Sequence, residues 1–347
     1  MIEGPRAKID LAAIEQNFNL ACRAAPDSKV MAVLKADAYG HGAVQIASRL
    51  ASADAFAVAR LGEAIDLRKA GVNQPLVVLE GIFDVAGARL AATYDLDLVI
   101  HALYQLDLLV EGQCKLWLKL DTGMNRLGLT SDDLTRCLRA LPEHRIRGVM
   151  SHLSDADDPK NPKNAEQLAR LKAAAAPGGL PTCLGNSASI ISGAANACEW
   201  IRPGLMLYGI DPVSENPSGL CPAMTFKAPV IAVNTVRAGA TIGYGSTWRA
   251  PAEMTVAVLA VGYADGYPRE IGPSTPVWLG GQEWVLGRVS MDLVVISASQ
   301  EDPPSIGDEA ELWGLNVSVD RVAASANTLP YVLLCGLGRR VQREFVG

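Results

Sequence analysis

Short apolar runs alternate with amphipathic stretches along roughly the first two thirds of the chain. Val30–Lys35, Ala55–Ala59, Leu76–Leu79, Leu96–His101, Lys115–Asp121, Ile146–Leu153, Thr182–Asn186 and Ile201–Tyr208 read as strands. Gly42–Leu50, Leu61–Ala70, Ser131–Ala140, Lys163–Ala176 and Ser187–Ala195 carry helical pattern between them. Ahead of the first run, Leu11, Ile14, Phe18 and Cys22 recur at helical spacing, and Asp10 stands where it can cap that helix. Strands that alternate with helices are parallel, because each crossover needs a helix. Eight such units predict an α/β fold, an N-terminal (β/α)8 TIM-like barrel. A doubly wound open sheet is the alternative, since pattern does not show closure.

The texture changes across Asp211–Pro229, where D-P-V-S-E-N-P-S-G-L-C-P is dense in turn formers. Beyond it come short β-type runs at Val230–Val236, Thr255–Val261, Pro276–Leu279, Trp284–Val289, Leu293–Ser297 and Glu309–Trp313; only Val319–Asn327 reads as helix. The expected division is a barrel over 1–220 and a smaller, mostly β domain over 221–347, with the first few residues free to join the second domain.

Composition narrows the class. With 347 residues, 49% hydrophobic and 20% charged, the chain can bury a large core. A formal charge of −6 without a basic run argues against a nucleic-acid partner. Seven scattered cysteines with no C-x-x-C pair argue against a disulfide framework or a zinc site, and suit free thiols in a reducing compartment. No signal-peptide pattern opens the chain, and no run reaches the ~18 apolar residues of a membrane span. A soluble, cytoplasmic protein is expected.

Active sites of barrels lie at the carboxyl ends of the strands, and the unusual polar residues collect there. Lys35 closes the first run, Lys119, Asp121 and Arg126 close or follow the fifth, His152 falls in the last positions of the sixth, and Asn186 and Ser187 follow the seventh. Arg202 breaks the rule by standing near the start of the eighth. In K-L-W-L-K-L-D the leucines share one face, so Lys119 points away from the packed helices, and a buried lysine must be neutral, paired or modified. Asp121–Gly128 and Asn186–Ile190 follow strands and lead toward helices, so their backbone N–H groups can hold a phosphate or simply shape turns. Neither G-x-G-x-x-G after the first strand nor a P-loop is present. In the second domain, I-G-Y-G-S-T-W and V-G-Y-A-D-G-Y-P-R set tyrosines between glycines.

The stretch V-L-K-A-D-A-Y-G-H-G resembles the lysine motif that binds pyridoxal 5′-phosphate in the alanine racemase family. The resemblance continues in order through L-K-L-D-T-G-M-N-R-L-G, S-H-L-S-D-A-D, G-N-S-A-S, R-P-G-L-M-L-Y-G, G-Y-G-S-T-W, V-G-Y-A-D-G-Y-P-R and G-R-V-S-M-D, nearly the whole chain. It implies a barrel followed by a β domain, a homodimer, and interconversion of L- and D-alanine by two bases acting on opposite faces of Cα. Lys35 would hold the cofactor as a Schiff base and act as one base; Tyr244, from the other subunit, would be the second. Arg202 would face the pyridine nitrogen, supported by His152. Tyr39, Ser187, Gly204 and Tyr331 match phosphate contacts, with Asn186 and Leu205 beside them. Arg126 would help hold the substrate carboxylate, and Tyr263, Met291 and Asp292 would line the substrate side. Lys119 matches a lysine often carbamylated in the family. Asp37 and His41 are assigned structural parts. Asn125 stands where glycine is frequent, Cys335 where threonine is, and Leu153-Ser154 where Phe-Ala is usual. A racemase of serine or of broad specificity is the alternative, since selectivity would depend on volume around Tyr331, Tyr263 and Met291.

Overall fold

A computed structural model describes residues 4–109, 114–194, 197–213 and 219–347. Ala195, the expected end of one helix, and the S-E-N-P-S core of the turn-rich stretch lie outside the described residues. The chain divides into two compact units. One holds Ile14–Ala38 and Gly42–Cys221; the other holds the residues up to Ala13, the short piece Tyr39–His41, and Pro222–Gly347.

The chain opens with β1 (Arg6–Asp10) and α1 (Leu11–Ala24). Asp10 caps α1 as expected, its Oδ1 accepting from the Ala13 N–H at 3.0 Å. The first unit is a closed, parallel, eight-stranded barrel: β2 (Lys29–Val33), β3 (Ala55–Val58), β4 (Leu76–Val78), β5 (Asp97–Ile100), β6 (Leu116–Lys119), β7 (Ile146–Met150), β8 (Thr182–Gly185) and β9 (Trp200–Ile201). β2 pairs with β9, Lys29 opposite Trp200 and Val30 opposite Ile201, which closes the ring and excludes the open sheet. The connecting helices are α2 (Lys35–Gly40), α3 (Ala43–Arg49), α4 (Leu61–Lys69), α5 (Val85–Thr93), α6 (Tyr104–Leu108), α7 (Ser131–Ala140), α8 (Pro162–Ala175) and α9 (Ser187–Ile191). The strands are near-continuous apolar runs because a barrel strand is covered on both faces. On β6, Trp117 is fully buried and meets Trp200 edge-on at 5.5 Å; burying one such ring contributes on the order of 3 kcal/mol. Its β7 neighbour is Gly148, where a Cβ would lie 2.8 Å from the indole and 2.4 Å from the Pro181 carbonyl oxygen, so only glycine fits.

Two expectations for the barrel need correction. The run Ile201–Tyr208 is strand only at its start: Pro203 and Gly204 end the ladder, and Leu205–Tyr208 winds into a 3-10 turn. The first run stops at Val33, and Lys35 opens α2 instead of closing a strand. That helix is left-handed, with φ of 54° at Ala36, 52° at Asp37, 53° at Ala38 and 54° at Tyr39. An L-residue in that region costs about 1–2 kcal/mol, so surrounding contacts must hold the turn. In the barrel unit, the Ala36 N–H donates to Glu63 Oε1 at 2.6 Å, and the Ala43 N–H to Asp37 Oδ1 at 2.8 Å. Asp37 thus caps the next helix, a structural part.

The second unit is organised on β10 (Met224–Val236), thirteen residues long, which begins inside the stretch expected to be a boundary. Two short strands, β11 (Thr241–Ile242) and β12 (Trp248–Arg249), flank the Tyr244 loop. Then follow β13 (Met254–Leu259), β14 (Pro276–Trp278), β15 (Gln282–Trp284), β16 (Val294–Ala298), β17 (Glu309–Trp313), α10 (Val319–Ser325), α11 (Pro330–Cys335) and β18 (Gln342–Val346). β10 pairs with β1, β13 and β17, and β1 also pairs with β18, so both ends of the chain enter this sheet. Phe226, Tyr267 and Trp313 stack in its core, with Trp313 4.5 Å from Phe226 and 6.2 Å from Tyr267. The run expected at Trp284–Val289 is displaced to Gln282–Trp284, and α11 is a second helix that the apolar pattern hid. Among the described residues, no helix is long and apolar enough to cross a membrane.

Candidate active site

The carboxyl ends of the barrel strands gather Lys35, Lys119, Arg126, His152 and Arg202. Lys119 is the last residue of β6, and burial together with the charges of Arg202, Arg126 and Lys35 lowers its pKa to about 8, with Asp121 opposing. His152, two residues past β7, is held near a pKa of about 3 by burial and by Arg202, Arg126, Lys119 and Lys35. A histidine among four cations stays neutral.

Arg202 directly follows the two-residue β9, so it too stands at a carboxyl end, and the exception expected from the longer run disappears. Its guanidinium is 7% exposed and fully engaged on one side. Nη1 donates to the Cys183 carbonyl and thiol, each at 2.9 Å; Nη2 donates to the Ser151 carbonyl at 2.6 Å and faces His152 Nδ1 at 3.3 Å. Arginine is always a donor, so His152 Nδ1 is the acceptor and any ring proton is on Nε2.

The two glycine-marked turns behave differently from each other. Asp121 Oδ1 accepts from the N–H groups of Gly123, Met124 and Asn125 at 2.8, 3.0 and 3.2 Å. Those amides serve the turn's own carboxylate, which corrects the phosphate reading for Asp121–Gly128. Asn125 has φ 56°, a region asparagine tolerates, which accounts for its standing where glycine is common. At Asn186–Ile190, the Asn186 side chain caps α9 by accepting from Ser189 N–H at 3.0 Å, a scaffolding part. The buried Ser187 hydroxyl accepts from the N–H groups of Gly204 and Met206, both at 3.1 Å, while Leu205 opens the 3-10 turn between them. With both amides donating to its oxygen, the Ser187 hydroxyl keeps its own proton to donate to an anion.

The second unit carries the other candidates. Tyr39 and Tyr331 have ring centroids 6.1 Å apart, and burial followed by Tyr331 and Cys335 raises the Tyr39 phenol. Gly40, at φ 80°, brings the backbone so close to α11 that a Cβ would lie 2.2 Å from the Leu334 carbonyl oxygen. Arg343 Nε donates to the Gly40 carbonyl at 2.8 Å, and His41 Nδ1 lies 2.9 Å from the Tyr39 carbonyl, consistent with a structural part for His41. Tyr244 is 72% exposed, Met291 53% and Tyr263 40%. Tyr263 and Ala264 N–H groups donate to the Ser290 and Met291 carbonyls at 3.1 and 3.0 Å, so these two loops move as one piece. Asp292 accepts from Arg340 at 2.6 Å, and Arg340 also grips the buried Asp265, at 2.5 and 3.1 Å.

Several of these residues were not singled out from the sequence. Glu63, Arg340 and Asp265 read as ordinary charges. Gln167, Thr122 and Ser151 form a buried network beside His152. One signal existed for Gln167: with Asn164 and Leu171 it lies on the buried face of α8, where a polar side chain requires partners.

The neutral state of His152 sets an acid sensitivity. Its folded pKa lies below the unfolded value, so the unfolded chain binds the proton first, and this contribution to stability is lost as pH falls from about 6.5 towards 3. Urea unfolding across that window is expected to show a pH slope steeper than that of His152→Asn, by up to about 1.4 kcal/mol per pH unit. Equal slopes in the two proteins would refute this.

A closed barrel with a lysine- and arginine-lined mouth, in one chain with a β domain bearing exposed tyrosine loops, defines a barrel-type enzyme of amino-acid chemistry. The alanine racemase N-terminal domain matches residues 9–212 and the alanine racemase C-terminal domain residues 223–345. The alanine racemase of Nitrosococcus oceani is 42% identical over 351 residues, covering 98% of each chain. The biosynthetic alanine racemase of Pseudomonas aeruginosa superposes with a TM-score of 0.93 at 37% identity over the whole of both chains. That of Bartonella henselae, with covalently bound pyridoxal phosphate, gives a TM-score of 0.90 at 27% identity, covering 99% of this chain and 100% of its own. The chain belongs to the alanine racemase family, and it is an amino-acid racemase.

Proposed function

We propose that the chain interconverts L- and D-alanine as a homodimer, with pyridoxal 5′-phosphate held on Lys35. The observation that carries this reading is the buried Arg202 at the barrel mouth, its guanidinium fixed by the Cys183 and Ser151 carbonyls, the Cys183 thiol and His152 Nδ1. The residues fit the cofactor. The Ser187 hydroxyl, polarised by the Gly204 and Met206 amides that donate to it, offers a phosphate donor, the surplus of positive charge suits an anionic ligand, and Arg202 is locked by four contacts. When bound, the cofactor supplies the electron sink that makes the Cα proton of alanine removable.

The remaining work falls to side chains. Lys35 moves the proton on one face of Cα. Tyr244 of the partner subunit moves it on the other, since in its own chain this tyrosine is largely exposed. Arg126 orients the substrate carboxylate. Arg202 would supply a permanently charged donor to the pyridine nitrogen and so disfavour a proton there. The family resemblance matches Tyr39 and Tyr331 to phosphate contacts as well. Tyr263, Met291 and Asp292 are the candidates for the substrate side, matched to it by the family resemblance. The purified protein, supplied with the cofactor, should convert either enantiomer of alanine to the racemate. Activity on serine or lysine equal to that on alanine would replace this reading with a broad-specificity one.

Lys119 completes the site as a carbamate. Its pKa of about 8 leaves a useful fraction of neutral amine near physiological pH. The ammonium first loses a proton, and the neutral amine adds to carbon dioxide and releases a second, so that a cation becomes an anion that can pair with Arg126. Carbon-13-labelled bicarbonate should give a carbonyl resonance that is absent from Lys119→Ala. A fully active enzyme whose Lys119 remains a free amine would sink the idea.

A further inference from the structure

We infer that Gln167, on the outer helix α8, is the positioning residue that fixes the His152–Arg202 pair; this rests on the reading above that Arg202 serves the bound cofactor. Gln167 is fully buried, and both ends of its side-chain amide are bonded within the barrel unit. Its Nε2 donates to Thr122 Oγ1 and to the His152 carbonyl, both at 3.1 Å. Its Oε1 accepts from the Ser154 N–H at 3.1 Å, while the Ser154 hydroxyl, also 3.1 Å away, gives its single proton to Asp155 Oδ2 at 2.5 Å.

The directions of the remaining bonds follow from proton counting. Ser151 Oγ donates its single proton to the Leu120 carbonyl at 2.8 Å. The 2.8 Å contact between Thr122 and Ser151 must then run from the Thr122 hydroxyl to Ser151 Oγ. Thr122 can accept only from Gln167. The result is a one-way chain, Gln167 to Thr122 to Ser151 to the Leu120 carbonyl, joining the segments that follow β6 and β7.

The segment that this chain anchors also carries the Arg202 site. The Ser151 carbonyl accepts from Arg202 Nη2 at 2.6 Å, and His152 Nδ1 lies 3.3 Å from the same nitrogen. Consecutive carbonyls are therefore held from two sides, Ser151 by Arg202 and His152 by Gln167. A fully satisfied buried network of this kind specifies one geometry. Without the Gln167 amide, the 151–154 segment can shift, and the guanidinium shifts with it.

The test is a double-mutant cycle on the reconstituted enzyme. Gln167→Glu keeps the shape and the Oε1 acceptor but replaces the donor; Thr122→Val breaks the same chain at its second link, and serves if the first variant folds poorly. Each is expected to lower kcat about 10- to 100-fold, as sub-ångström misplacement of a site group does, with KM for alanine changed less than about threefold by the same reasoning. Each should also shift the visible absorption maximum of the bound cofactor. In an Arg202→Lys background, Gln167→Glu should cost less than about twofold more and move the maximum no further. Full additivity with Arg202→Lys, or a wild-type absorption maximum in both single variants, would overturn the inference. Failure of the underlying reading is separately visible, because the unmutated protein would then neither bind the cofactor nor racemise alanine.

Discussion

Lys35→Ala is expected to leave a folded, colourless protein that racemises alanine at least about 10⁴-fold more slowly than the parent, the upper range for loss of one general base before the lost covalent tether is counted. The barrel predicts that folding survives. Lys35 lies beyond the end of β2, outside the strand ladder, and the turn that follows is tied by the Ala36 N–H to Glu63, the Ala38 N–H to the Leu34 carbonyl and the Ala43 N–H to Asp37. Alanine is also no worse than lysine for the start of that turn, because the left-handed residues are Ala36 to Tyr39. Circular dichroism and melting should therefore match the parent. The visible absorption that follows addition of pyridoxal phosphate should fall to that of free cofactor, and gel filtration should strip it. A protein that stays coloured after gel filtration, or turns over within tenfold of the parent, would place the reactive amine elsewhere; Lys119, with its lowered pKa, would then be the next candidate.

The barrel was legible because closure needs only the count and order of strands, and each buried strand shows as an apolar run. Each of the eight runs overlaps an observed strand. The polar residues were legible for a related reason: charge at a strand's end, in a sequence otherwise apolar, needs an explanation. What was hidden depends on partners distant in sequence. A left-handed turn at Ala36–Tyr39 goes against local preference and exists only because tertiary contacts impose it. Helix α11 was missed because P-Y-V-L-L-C shows no amphipathic period, being pressed against Gly40 on one side and open on the other. Asp121 was read as a neighbour of a phosphate loop, yet its carboxylate consumes the amides that made the loop look available. Gln167 is one polar letter on a helix, and its meaning lies in Thr122, 45 residues earlier in the chain.

Tyr244→Phe should lower racemisation by about 10²- to 10⁴-fold, the loss expected of one general base, while leaving cofactor absorption unchanged. Rates in the two directions cannot diverge freely. The equilibrium constant between enantiomers is one, so kcat/KM must fall equally for L- and D-alanine. The asymmetry appears instead in deuterium oxide. Lys35 still removes and returns a proton on its own face, so one enantiomer should exchange its α-hydrogen for deuterium without inverting, and the other should do neither. Exchange of both enantiomers, or of neither, would argue against two bases on opposite faces. The same variant tests the subunit assignment. Tyr244 is 72% exposed in the single chain, carried on a loop whose flanking glycines have φ of 72° and 75° and which presents the phenol outward. If it serves the partner, a heterodimer of Lys35→Ala with Tyr244→Phe has one site lacking both groups and one site intact. Random mixing of two inactive proteins should then restore about a quarter of wild-type activity, half the dimers being mixed and half their sites whole. A tyrosine acting within its own chain would give no recovery at all, because each site would still lack one base.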